Sequence, residues 1–110
     1  MSALGTELKI NVHVEPIDGL HMSDYDFECV FFVYKNRSLV VRKNDMTKVD
    51  DDNYIAKVDT EKVGVGSLKM KFIAEIPDSD MNDGLRKEVE LVDLNIPIIP
   101  VWYGMLESIW

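Results

Sequence analysis

The sequence predicts an all-β chain: an antiparallel β-sandwich of immunoglobulin-like architecture, with about seven strands. Three observations carry this reading. Apolar and polar residues alternate at period two along several stretches, the pattern of a strand with one face on a core and one in water. Pro, Gly, Asn and Asp clusters punctuate those stretches as turns. No stretch carries the apolar spacing of an amphipathic helix. The Cys–Trp–Cys pattern of true immunoglobulin domains is absent, so the expectation concerns architecture only.

The elements follow in order. Residues 7–15 alternate, with Leu8, Ile10, Val12 and Val14 on one side and Glu7, Lys9, Asn11, His13 and Glu15 on the other. Pro16 and Asp18-Gly19 end that strand, and residues 21–24 read as a polar connection. Residues 25–34, YDFECVFFVY, form the most apolar stretch. Tyr25, Phe27, Cys29, Phe31 and Val33 share one face, while Val30, Phe32 and Tyr34 make the other apolar as well. A central strand covered on both sides at its far end is expected, because aromatic and β-branched enrichment favours strand over helix.

A polar loop at 35–38 and a short strand at 39–42 complete a hairpin. After the polar residues 43–46 comes an acidic turn with Asp50, Asp51 and Asp52, then a strand at 54–59. Residues 60–66 read as a connection in which Gly64, Gly66 or both adopt positive φ. Residues 67–76 are the clearest strand, with Leu68, Met70, Phe72, Ala74 and Ile76 inward. Pro77 stops it, and residues 78–84 form an acidic loop.

Residues 85–91 form a further strand, with Leu85, Lys87, Val89 and Leu91 as the inward side. Lys87 there is explained by a start near a rim. Residues 94–99 are read as a last strand, separate from it, in which Pro97 marks an edge or bulge. The division expected is a sandwich domain over 1–100 and an apolar, aromatic tail over 101–110.

Composition narrows the function classes. The 110 residues suit one domain. A net charge of −8, with dispersed basic residues, argues against nucleic acid and against an anionic membrane surface. One cysteine, Cys29, excludes an internal disulfide and is expected as a buried, inert thiol. No signal-peptide pattern and no membrane-spanning apolar run is seen, which makes the cytoplasm the expected location, or a virion if the chain is assembled into one.

No catalytic constellation emerges. Gly64-Val65-Gly66 lacks the third glycine and following helix of a phosphate loop. His13 and His21 have no partner cysteine or nucleophilic serine motif, so both read as surface residues. Two acidic clusters are read first as solvated turns and second as calcium candidates: Asp50, Asp51 and Asp52, and Asp78, Asp80 and Asp83. Their carboxylates would combine if both loops lay at one end of the sandwich. No cofactor is implied. Trp102, Tyr103, Met105 and Trp110 are the candidate partner-binding residues, because aromatic anchors dominate protein interfaces. They would either fold back over the apolar second face of 25–34 or dock on another subunit.

The run from Asp52 to Thr60, DNYIAKVDT, the Gly64–Gly66 turn and the run from Ile76 to Arg86, IPDSDMNDGLR, carry a family resemblance, and Ser23 to Phe27, SDYDF, fits it too. Together they resemble N-terminal β-sandwich domains of uncharacterised phage and prophage proteins from Bacteroides-type gut bacteria. In outline these are similar to the N-terminal domain of phage baseplate upper proteins. The resemblance spans residues 7–100 and implies a virion or tail structural role, assembly into an oligomer, and no catalytic residues. Such proteins continue into further domains, whereas this chain stops at Trp110, so a self-standing subunit or shortened relative is expected. The function expected is a non-enzymatic assembly subunit, bound to copies of itself or to other particle proteins. The alternative is a ligand-binding module for carbohydrate or calcium-dependent adhesion.

Overall fold

A computed structural model describes residues 2–34 and 37–99. In chain order the strands are β1 (Ser2–Ala3), β2 (Glu7–His13), β3 (Asp26–Phe32), β4 (Ser38–Arg42), β5 (Thr47–Asp50), β6 (Asn53–Asp59), β7 (Gly66–Pro77) and β8 (Leu85–Ile99). One helical turn, α1 (Thr60–Val63), joins β6 to β7. They form a two-sheet sandwich: a five-stranded sheet in the order β1-β8-β7-β3-β4 over a three-stranded sheet β2-β6-β5. All pairings are antiparallel except that of the short β1 with the end of β8. This two-layer antiparallel arrangement is the β-sandwich expected, and it does not single out an immunoglobulin-like architecture.

The core forms where the period-two faces meet. Ile10 and Val12 of β2 and Tyr54, Ala56 and Val58 of β6 pack onto Phe27, Cys29 and Phe31 of β3 and Leu68, Met70, Phe72, Ala74 and Ile76 of β7. Phe27 sits edge-on to Tyr54 at 5.2 Å and tilted against Phe72 at 5.4 Å, so the aromatic contact crosses between sheets. Met22 is wholly buried, so the segment expected as a polar connection contributes a core residue from a short 3₁₀ turn, Met22–Asp24.

Three elements differ from expectation. Val49 and Asp50 belong to strand β5 rather than to a turn, and the turn proper is Asp51-Asp52. β5 escapes a burial-pattern reading because all four of its residues are exposed. Residues 60–66 contain helical turn α1, whose N-cap Asp59 accepts a hydrogen bond from the Glu61 amide. Both glycines that follow have positive φ, 92° at Gly64 and 136° at Gly66. A Cβ at Gly66 would collide with the Val33 side chain, so glycine serves there for space as well as for conformation.

The third difference concerns β8. The two expected strands are one, bulged opposite Leu68 and Lys69 where β8 inserts two extra residues, Leu94 and Asn95. Lys71 pairs with Leu91, Ile73 with Val89 and Glu75 with Lys87, so these β8 residues lie on the outer face of the sheet. The expected inward side of residues 85–91 is therefore corrected: Leu85, Lys87, Val89 and Leu91 point outward. Facing inward are Arg86, Glu88 and Glu90, then Val92, Leu94, Ile96 and Ile98. The second half decides the register, because a one-residue slip would turn those four apolar residues into water.

Candidate functional site

Two regions merit attention, the acidic end of the sandwich and the outer face of the larger sheet. At the acidic end the segment 14–24 touches the β5–β6 turn through His21 and Ser23 and meets Arg86 of β8 through Asp18, and Arg86 in turn holds Asp78 of the β7–β8 loop. The two acidic clusters do lie at one end. Their carboxylates do not combine.

Five of the six aspartates are already engaged by protein donors; the Asp80 carboxylate is the exception. Asp50 accepts from the Asp52 amide at 2.9 Å and from the Asn53 side-chain amide at 2.8 Å. The Asn53 bond is the main reason its pKa lies below the usual carboxylate value. Asp51 pairs with Lys48 at 3.2 Å and accepts from the Ser23 hydroxyl at 3.1 Å, and its pKa is lowered chiefly by Lys48. Asp52 receives His21 Nδ1 at 2.9 Å. Asp78 accepts from Arg86 at 3.0 Å and from the Asp80 amide at 3.0 Å, and Asp83 accepts from the Leu85 amide at 3.1 Å. Among the described residues, no three acidic, His or Cys side chains converge as a metal ligand set.

Both histidines lie at this end. His13 Nδ1 faces the Asp52 carbonyl and the Asn53 side-chain oxygen, both at 3.1 Å, and its Nε2 faces Glu15 at 3.0 Å. Both ring nitrogens thus meet acceptors, so the imidazolium is favoured and the pKa rises, Glu15 being the largest cause. His21 is raised mainly by its hydrogen bond to Asp52. Neither faces a nucleophile.

Arg86 is the residue that sequence reasoning missed as an organiser. Its guanidinium contacts Asp18 at 2.6 Å, Asp78 at 3.0 Å and Glu88 at 2.8 Å, tying two loops to β8. These acids hold it cationic, Asp18 most strongly. An arginine closing the run IPDSDMNDGLR was the available signal. Cys29 is buried, and burial pushes its thiol up to about 12, so it is inert in the fold.

The outer face of the larger sheet is the second region. Successive rows across β4, β3, β7 and β8 read Arg42–Glu28–Ile73–Val89, then Val40–Val30–Lys71–Leu91, then Ser38–Phe32–Lys69–Asp93. Below them lies Asp26–Glu75–Lys87. Val40, Val89 and Leu91 are 47 %, 52 % and 65 % exposed, and Val30, Phe32 and Ile73 are half-buried beside them. The result is a set of apolar side chains across four strands, with Lys71 and Glu28 standing among them and further charges at the rim. No segment among the described residues covers it. The candidate partner residues Trp102, Tyr103, Met105 and Trp110 lie outside the described residues, as does the hairpin loop at Lys35 and Asn36.

Comparison with family models, curated proteins and solved structures found no match. Among the described residues, no helix is long and apolar enough to cross a membrane.

Proposed function

We propose that this chain is a non-enzymatic assembly subunit of a phage or prophage particle, of tail or baseplate type. The observation that carries the assembly reading is the set of apolar side chains on the outer face of the larger sheet. Water-facing apolar side chains of that size, spread over four strands with charges among and around them, are the composition of a protein–protein contact. The particle type is supported by the resemblance to phage and prophage sandwich domains.

The residues that carry this resemblance also have structural duties here. Asp52 holds His21, Thr60 anchors the N-terminal strand, Gly66 makes room for Val33, and Asp78 and Arg86 bind each other across a loop. A motif spent on turns and strand ends fits a scaffold better than a reaction centre. With five of the six aspartates engaged by protein donors and no three ligand side chains converging among the described residues, no observation favours the calcium or carbohydrate alternative.

The test is to purify particles released by cells that carry the gene and to analyse them by mass spectrometry. The chain is expected in constant ratio to the other particle proteins. Its presence in the lysate but not in the particles would end this reading.

A further inference from the structure

We infer that the partner seated on the outer face is a second copy of this chain, packed face to face about a two-fold axis. The inference rests on the assembly reading above and names its contact. Its basis is the order of charges along the face. On β7 the outward residues run Lys69, Lys71, Ile73, Glu75, basic at one end and acidic at the other. On β8 they run Lys87, Val89, Leu91, Asp93. Both strands are thus self-complementary under reversal.

Place the two-fold axis between the sheets, across the strands, level with the paired residues Phe72 and Glu90. Each strand then lies over its own copy in the opposite direction. Glu75 faces Lys69 of the second copy, Lys87 faces Asp93, and Val89 faces Leu91. Lys71 lays its stem on Ile73 and reaches toward Glu28, which neighbours Ile73 across β3 and β7. Sheets stack about 10 Å apart and at about 30°, so the long Lys and Glu side chains still meet near the rim.

A like-charge pair within one copy, only partly offset by Lys87 beside Glu75, points the same way. Asp26 and Glu75 stand directly opposite each other on β3 and β7, a like-charge pair that destabilises an isolated sheet. In the pair of copies Lys69 arrives over Glu75 and relieves it. The fit is isologous, closes on itself, and buries Ile73, Val89 and Leu91 at the centre beside the Lys71–Glu28 contact, with further charges at its edge.

The experiment is sedimentation of the full chain over a range of concentrations, with circular dichroism melts confirming that each variant is folded. A dimer is expected. Glu75→Lys and Lys69→Glu, each alone, place like charges opposite one another and weaken self-association about tenfold or more. The double variant restores the pairing in swapped form and recovers most of the affinity. Leu91→Ser, at an exposed position, weakens it without loss of fold. A chain that stays monomeric at high concentration overturns the inference; this is the outcome if residues 100–110 or an unrelated protein occupy the face. A dimer indifferent to the single reversals, or one not recovered by the double, overturns it equally. A monomeric chain that is nonetheless found in particles would refute this contact and leave the assembly reading standing.

Discussion

Thr60 shows how one buried hydroxyl can fasten a chain end. It is fully buried, accepts from the Gly5 amide at 2.7 Å, and its own amide donates to the Thr6 carbonyl at 3.1 Å. Thr60→Val keeps the shape and strands the Gly5 donor. A loss of about 1–3 kcal/mol is expected, measured by urea unfolding, with faster amide exchange at Gly5. The histidines make a pH-dependent contribution. Both have pKa values raised above 6.5 in the fold, so their stabilisation is fully present below that value and is lost as pH rises through the raised values. Asp50 and Asp51 are lowered below 3.8, so theirs is present above that value and lost as pH falls through the lowered values. The melting temperature should therefore decline as pH rises above 6.5 through the raised values. His21→Gln should flatten that decline, and NMR titration should place both imidazoles above 6.5.

At the scale of elements, β8 carries the main lesson. Its first half is apolar on odd positions and its second half on even ones, and no local rule says which half wins. Val92, Leu94, Ile96 and Ile98 win because they are the ones the core can cover. The three-stranded sheet does not close over the first half, so Arg86 and Glu88 turn inward toward residues 14–20 and find Asp18 there. Arg86→Gln would leave Asp18 and Asp78 without their cation. A lower melting temperature is expected, read from thermal melts. A double-mutant cycle with Asp18→Asn should show the two residues to be coupled. If the two losses simply add, the contact contributes nothing and the loops are held by other means.

For the whole molecule, most of the strand pattern was legible because one face of each long strand is buried. Residues 7–13, 26–32 and 66–77 alternate in burial as they alternate in sequence. β5 was not legible, since a strand exposed on all positions leaves no apolar trace. α1 was hidden by its brevity, although Asp59 before Thr60 is a capping signal. Of the candidate site, the aspartates were found but their occupation by Lys48, His21 and Arg86 was not. Those partners lie on other segments, brought near only by folding.

The sequence by itself determined a two-faced β chain with its core residues, its turns and an inert cysteine, because period-two hydrophobicity and turn chemistry are local. Only the tertiary structure decided which face of β8 meets the core. That choice depends on how far the smaller sheet reaches, a property of the packed layers and of no single stretch. It left Val89 and Leu91 in water beside Val30, Val40 and Ile73, and so created the surface on which the proposed assembly rests.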